Sequence, residues 1–171
     1  MSAQITVSLK NVVMGGIFGP IYIGMSRALV HETLGNPDHW SAGDAAKKGP
    51  DPWRTSTIWK YGDLEFYFGL VDDDCLAQIY ADDFTIPSGG PSIALDPWVI
   101  RRDAPQDDME EALREAHIDF RRIADRYDEH MTQLAIGTRV RLWFARPEQE
   151  KRPLLCALSC ADPRLSWMDK P

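Results

Sequence analysis

The sequence predicts an α+β fold made of two tandem units, each with a helix packed on an antiparallel β-sheet. Three observations support this prediction. Each half of the chain contains a helical segment with an apolar face, then a strand led by glycine and ending in aromatic residues, then a further apolar strand. This shared order predicts a first unit at residues 1–86, a linker at 87–106 and a second unit at 107–171.

The first unit opens with a predicted strand. Ile5, Val7 and Leu9 alternate with polar residues, which is the two-residue period of a strand with one buried face. The next stretch, from Val12 to Met25, is nearly uncharged but is interrupted by glycine and proline. It is too short to span a membrane, so the sequence predicts a buried loop or a short strand there.

Capping residues define the first predicted helix of the tandem pattern. Ser26 can act as its N-cap, and Gly35 with Pro37 can end it. Three aliphatic residues are expected to form its inward stripe: Leu29, Val30 and Leu34.

A loop and a hairpin are predicted to complete the first unit. Residues 38–54 are rich in glycine, proline and small polar residues, a composition typical of an exposed loop. The following strands turn at Gly62-Asp63, and the second of them places three apolar residues on one face: Leu64, Phe66 and Phe68. The return strand runs from Leu76 to Tyr80, with residues 71–74 as the hairpin tip.

The second helix is predicted to begin at Asp108, because Asp108 and Glu111 match the spacing of a capping box. Its apolar face would consist of Met109, Ala112, Leu113 and Ala116. Residues 119–132 fit either a continued helix or a strand, and we favour strands from about Gln133 onward. A final hairpin would pair residues 139–144 with residues 154–160.

The two predicted units align with similar offsets along the chain. The helices align when Met25 is matched to Met109, 84 positions later, and the aromatic strands when Phe68 is matched to Phe144, 76 positions later. The last strands match Leu76 to Leu155, an offset of 79. Duplicated units joined by loops of variable length would give such offsets, although two amphipathic segments can also match by chance.

One part of the pattern resembles a known bacterial unit. A short helix ending in Leu34-Gly35-Asn36-Pro37 is followed by a strand that begins Trp59-Lys60-Tyr61-Gly62. This resembles the helix-plus-sheet unit of β-lactamase inhibitor proteins, of SmpA/OmlA-type outer-membrane assembly lipoproteins, and of small bacterial proteins of the immunity type. The resemblance implies helices packed on an antiparallel sheet, with the unit present twice as in the inhibitor proteins. The sequence lacks the lipoprotein cysteine and the paired cysteines of the secreted inhibitors.

Composition argues against several classes of function. The net charge of −7 would repel a phosphate backbone, so we expect no nucleic-acid partner. Cys75, Cys156 and Cys160 have no metal-ligand spacing and cannot form a complete disulfide framework. Free thiols and the lack of a standard signal peptide predict a cytoplasmic protein with no membrane partner.

The sequence predicts no catalytic residue, no metal site and no cofactor. The four histidines lack the spacing of a metal site, and no GxSxG, P-loop or GxGxxG motif occurs. The run Asp72-Asp73-Asp74 has the carboxylates that a divalent cation needs but not EF-hand spacing. We therefore interpret it as a solvated hairpin tip that attracts a basic partner.

Partner-binding residues are predicted at this tip and in the long loop. Trp40 and Trp53 lie in a polar segment and would act as interface anchors beside Asp72, Asp73 and Asp74. The alternative is that the loop folds back and buries each indole. The predicted function is a non-catalytic protein-binding module, an immunity or inhibitor protein that neutralises a basic bacterial toxin by steric and electrostatic occlusion. The alternatives are a small-molecule-binding or enzymatic domain with a pocket between the units, and a structural homo-oligomer that pairs through edge strands.

Overall fold

A computed structural model describes residues 4–41, 51–125 and 128–165 of the chain. The α-helices in these residues are α1 (Leu9–Gly15), α2 (Arg27–Leu34) and α3 (Gln106–Glu115), and a 3-10 helix spans Pro52–Thr55. The strands are β1 (Ile5–Ser8), β2 (His39–Trp40), β3 (Ile58–Tyr61), β4 (Leu64–Phe68), β5 (Leu76–Ala81), β6 (Ile93–Asp96), β7 (Arg121–Ala124), β8 (Met131–Ile136), β9 (Val140–Ala145) and β10 (Leu154–Ala161). The predicted α+β class is confirmed.

Eight strands form one antiparallel sheet in the order β2-β3-β4-β5-β10-β9-β8-β7. Its central pair joins β5 to β10, with Tyr80 opposite Ser159. The predicted hairpins β3–β4, β4–β5 and β9–β10 are all present. The parallel strands β1 and β6 form a separate two-stranded sheet, with Ile5 opposite Ile93. The segment 87–106 therefore contributes the strand β6 as well as a connection.

The hydrophobic core lies on one face of the eight-stranded sheet. Trp59, Phe66, Ile79, Cys160 and Val140 are successive cross-strand neighbours on five strands, and all belong to one buried cluster. The same cluster contains buried residues of α1, α2 and α3. Fully burying a side chain such as Phe66 stabilises the fold by about 1.5–3 kcal/mol. The described helices therefore pack on this face and leave the opposite face without a helix.

Helix α1 replaces the loop or short strand predicted from Val12. Leu9, Val12 and Val13 are buried together because the i, i+3, i+4 spacing puts them on one side of a helix. Gly16 ends the helix in the left-handed conformation, with φ of 65°, and its N–H donates to the Val12 carbonyl at 2.7 Å. The prediction was wrong for residues 12–15, because a seven-residue helix directly after an alternating strand offers little periodicity, whereas residues 16–25 form a loop with a bridge between Phe18 and Ile21.

Helix α2 has the predicted ends but a different inner face. The Ser26 Oγ accepts a hydrogen bond from the Leu29 N–H at 3.4 Å, and the Gly35 N–H donates to the His31 carbonyl at 2.8 Å. Leu29 is 39 % exposed, so its predicted place in the inward stripe is wrong. Arg27 is buried instead, beside Val30 and Leu34.

Helix α3 begins two residues before the predicted N-cap. Its N-cap position is Pro105, no side chain caps it, and Asp108 lies in its first turn. The predicted capping box is therefore wrong. Backbone pairing with the start of β10 fixes the helix instead: the Gln106 N–H donates to the Pro153 carbonyl at 2.9 Å, and the Leu155 N–H donates to the Ala104 carbonyl at 2.8 Å.

The ambiguous segment 119–132 and the predicted loop 38–54 both contain short secondary-structure elements. The part of 119–132 that is described includes β7, which pairs with β8 and places Ile123 opposite Gln133. The predicted loop at 38–54 contains β2 and the 3-10 helix, while residues 42–50 lie outside the described residues, as does Trp167. Among the helices described, none has the length and apolar character that crossing a membrane requires.

Candidate functional site

The sheet face opposite the helices, which we call the open sheet face, is crossed by one row of side chains. Directly paired residues on adjacent antiparallel strands point to the same face. The register places eight residues in this row, one from each strand: His39, Lys60, Glu65, Tyr80, Ser159, Arg141, Ala135 and Arg121. A second row contains Ile58, Tyr67, Gln78 and Ala161, and a third contains Ala157, Trp143, Gln133 and Ile123. Polar and aromatic residues thus dominate this face.

Glu65 organises the charges at one end of the open sheet face. Its Oε1 lies 2.6 Å from the Lys60 Nζ, and its Oε2 accepts a hydrogen bond from the Tyr67 hydroxyl at 2.5 Å. The bond to Glu65 raises the pKa of Lys60. Burial, and then the bond to Glu65, raise the pKa of Tyr67 well above its usual range. At neutral pH this end therefore carries an ammonium, a carboxylate and a protonated phenol in fixed contact.

The centre of the face is also ordered. The Gln78 Nε2 donates to the Ser159 Oγ at 3.2 Å across the β5–β10 pair. Burial, and then the nearby Asp82 carboxylate, raise the pKa of Tyr80 to about 12. Arg141 is only 4 % exposed, and its Nη1 donates to the Val140 carbonyl at 2.8 Å. Ser159 and Arg141 are thus buried, and a partner would meet the half-buried Gln78 and Tyr80, whose contacts already restrict their rotamers.

The open sheet face contains residue types that are common in protein interfaces. Tyr, Trp and Arg are the residue types enriched in protein interfaces. Cys156, on β10, has its pKa raised by burial, and burial raises the pKa of Cys160, which lies on the core side of the same strand, to about 11. Both thiols stay protonated at neutral pH, and a protonated thiol is a poor nucleophile.

A second feature, on the helix side, gathers two of the predicted site residues. A cavity of about 240 Å³ is lined by Arg27, Ala28, His31, Trp53, Arg54, Trp59 and Asp74. The Arg27 Nε donates to the Asp74 Oδ1 at 2.5 Å, and its Nη1 donates to the Ser56 carbonyl. The same guanidinium lies 5.3 Å from the Trp59 ring centroid and 4.4 Å from that of Phe68. Asp74 and Trp53 therefore border the same cavity as the buried Arg27, which the sequence did not predict as a site residue.

Trp53 is packed into this cluster. It is 7 % exposed, its ring stacks on His31 with centroids 4.8 Å apart, and its carbonyl accepts a hydrogen bond from the Trp59 Nε1 at 2.7 Å. The Arg54 guanidinium covers the ring at 4.8 Å from its centroid. In this conformation little of the indole faces solvent, and its predicted anchoring role stays a prediction.

The other predicted residues lie in separate surroundings. Trp40 is 40 % exposed on the edge strand β2, opposite Trp59 and on the core side of the sheet. The Asp72 Oδ2 lies 2.5 Å from the Arg164 Nη2, so this carboxylate has an intramolecular partner. Asp73 is exposed and forms no ion pair with any residue that the structure describes. Their roles in binding a partner also stay predictions.

The sequence did not predict a cluster of ion pairs around a buried carboxylate on α3. Glu110 is 1 % exposed; the Arg122 Nε and Nη2 donate to its two oxygens at 2.5 and 2.6 Å, and Arg114 and Gln106 donate at 2.8 and 3.0 Å. Burial alone would raise the pKa of Glu110, but the hydrogen bonds from Arg122 and Gln106 outweigh burial and lower it. This cluster attaches α3 to β7, at the far edge of the sheet.

Within residues 4–41, 51–125 and 128–165, no three His, Cys, Asp or Glu side chains converge as a metal ion would require. Comparisons with protein-family models, with curated proteins and with solved structures found no match to this chain.

Proposed function

We propose that the protein is a non-catalytic protein-binding module that uses the open sheet face as its main contact surface. The observation that carries this proposal is the row of side chains that crosses all eight strands on the face without a helix. Tyr67, Tyr80 and Trp143 are half-buried on this face, so each keeps part of its ring at the surface, and aromatic side chains are enriched in protein interfaces.

The size of the face fits an ordinary protein interface. Eight strands have seven spacings, which at about 4.8 Å each give a width of about 34 Å. Strands of four to eight residues at about 3.3 Å per residue supply a height of about 13–26 Å over most of this width. The product approaches the roughly 800 Å² per partner that a stable complex buries.

Charge favours a basic partner. The chain carries a net charge of −7, and the exposed Asp73 lies at a tip that also contains Asp72 and Asp74. Such a field accelerates the approach of a positively charged protein. Together with the resemblance to inhibitor and immunity proteins, this supports a bacterial immunity or inhibitor role, in the cytoplasm, against a basic toxin that is neutralised by occlusion.

The proposal includes a duplicated architecture. The N–H of Arg27 donates to the Asp74 carbonyl and the N–H of Leu76 to the Met25 carbonyl; the bonds from Gln106 to Pro153 and from Leu155 to Ala104 repeat this arrangement 79 positions later. On this register Val30 corresponds to Met109 and Leu34 to Leu113, which replaces the helix offset of 84. Two units related in this way would meet at the β5–β10 pair and form one continuous sheet.

The test is affinity capture from a lysate of the host bacterium with matched variants. Tyr80→Ala removes a ring from the centre of the open sheet face, and Tyr22→Ala removes an exposed ring from the helix side. We expect a stoichiometric partner, toxic when expressed alone, to be retained by the wild type and by Tyr22→Ala but not by Tyr80→Ala. If Tyr80→Ala and Lys60→Glu both retained the partner as well as the wild type does, this face would not be the contact surface. A folded chain that self-associates through it would instead support the homo-oligomer.

A further inference from the structure

A cavity lies away from the open sheet face. It has a volume of about 400 Å³ and is bordered by the loop after β6 and the first turn of α3. Its floor consists of the buried residues Ile100, Ala104 and Met109, and its walls of Pro97, Trp98 and Val99. Ile86, Arg101 and Asp108 surround its mouth. A volume of this size is within the range of small-molecule sites.

The lining is apolar where a ligand body would lie. Ile100 is 1 % exposed and Met109 is 2 % exposed, so these side chains are buried beneath the cavity. Ile86 is 59 % exposed at the mouth, although it is a large aliphatic residue. A bound aromatic or branched aliphatic group would cover Ile86 and remove this apolar surface from water.

The charges at the mouth are unequal. The Arg101 guanidinium is exposed and makes no hydrogen bond or ion pair with any residue in the described parts of the chain. Asp108 has a cationic neighbour, because its Oδ1 lies 3.8 Å from the Arg152 Nη1. The charge left without a partner is therefore positive, and it complements an anion.

The backbone of this loop is held in an unusual conformation. Trp98 has φ of 51°, a left-handed conformation that a bulky residue adopts only at a cost in free energy. Its N–H donates to the Asp96 Oδ1 at 3.1 Å, and the Lys10 Nζ lies 5.9 Å from the ring centroid. The hydrogen bond holds the backbone of Trp98, whose side chain lines the cavity.

We infer that this cavity binds a small organic acid whose aromatic or branched aliphatic body occupies the apolar floor and whose carboxylate pairs with Arg101. The inference is independent of the open sheet face, since none of the lining residues belongs to its rows.

Two fluorescent probes of nearly equal shape test it. Anilinonaphthalene sulfonate carries an anionic group, and N-phenylnaphthylamine has the same rings without the charge. We expect Arg101→Gln to weaken sulfonate binding roughly tenfold, the loss of one charge-assisted contact, and to leave binding of the neutral probe unchanged. Arg146→Gln, which changes an exposed arginine after β9, should alter neither affinity. Equal effects on both probes, or none, would overturn the role of Arg101.

Two further measurements locate the probe and define its chemistry. Ala104→Leu fills the floor and should weaken both probes; Ile86→Glu, at an exposed position, should weaken the sulfonate more than the neutral probe. Unchanged binding to both variants, with circular dichroism like that of the wild type, would mean that the probes bind elsewhere and would overturn the site.

Phenylbutyrate should displace the sulfonate, whereas phenylbutanol should not; equal displacement by the alcohol would overturn the requirement for a carboxylate.

Discussion

Arg27 on α2 donates from its Nε to the Asp74 carboxylate at the tip between β4 and β5, 47 positions along the chain, at 2.5 Å. The side chain of Arg27 is only 10 % exposed, whereas that of Asp74 is 66 % exposed. The arginine is therefore mainly a packing residue, with its guanidinium between aromatic rings, and the aspartate is its solvated counter-ion.

Replacing Arg27 should be costly and replacing Asp74 should not. We expect Arg27→Ala to lower the free energy of unfolding by about 2–3 kcal/mol, because the stem, the ring contacts and the bond to Ser56 are lost together. Asp74→Asn should cost less than about 1 kcal/mol, since its partner retains other contacts. Urea denaturation measures both, with the exposed Arg54→Ala as control. Similar costs for Arg27→Ala and Arg54→Ala would contradict this reading.

Glu110 makes stability depend on pH at the acidic end. The folded protein holds the pKa of Glu110 below its ordinary value of 4.5, so the unfolded state takes up a proton first as the pH falls. The contribution of Glu110 is present above that value and is lost as the pH falls through the lowered pKa. Glu110→Gln should destabilise the protein by about 1–2 kcal/mol at neutral pH, because its charge-assisted hydrogen bonds are weakened while the arginines remain solvated, and should reduce the loss of stability below pH 4.5. Thermal unfolding across this range, with the exposed Glu111→Gln as control, tests the assignment; an unchanged pH profile in Glu110→Gln would refute it.

Gly62 should tolerate no side chain. It turns between β3 and β4 with φ of 59°, and an added Cβ would lie 2.4 Å from the Gly90 nitrogen and 2.5 Å from the Ser88 oxygen. Gly137, in the turn between β8 and β9, has φ of 53° but open space around it. We expect Gly137→Ala to cost about 1–2 kcal/mol, from the left-handed conformation alone, and Gly62→Ala to cost about 3 kcal/mol or more. Chemical denaturation of the two variants compares them, and equal losses would mean that the 88–90 loop yields easily.

The acidic tip should govern the rate of partner association. Once the partner is purified, Asp72→Asn/Asp73→Asn should slow association and weaken its salt dependence while leaving dissociation nearly unchanged. Asp74 is left intact so that the contact with Arg27 is preserved. Surface plasmon resonance at two ionic strengths measures these rates, and Glu115→Gln/Asp119→Asn, which also removes two exposed carboxylates, serves as the control for net charge. If the tip variant and the control had the same association rates, the tip would have no specific role in binding.

Local signals predicted part of this structure well. Ser26 and Gly35 bound α2 because caps act within one turn, and Gly62-Asp63 marks the β3–β4 turn because its geometry needs a left-handed residue. The start of α3 was misplaced since Asp108 matches a capping pattern, while the true start depends on pairing with Pro153, far along the chain. No local rule could reveal that pairing.

The candidate sites depended even more on distant neighbours. Trp53 and Asp74 were predicted as site residues from the composition of their segments. In the structure they border one cavity together with Arg27. The sequence did not predict that Arg27 is buried, because one arginine in a short helix is usually exposed. Glu110 was hidden in the same way, because its partner Arg122 lies on a strand that the sequence left ambiguous. The row across the open sheet face can be recognised only when all seven strand pairings are known.

The β5–β10 pair has a consequence for how the chain is made. These two neighbours in the middle of the sheet are separated by residues 82–153. During synthesis the unpaired edge of β5 would emerge from the ribosome well before β10, and an exposed edge of this kind invites pairing with other chains. Closing a loop of this length also slows folding. The nascent protein therefore passes through a stage at which its first sheet strands need protection, by a chaperone or by rapid completion of translation.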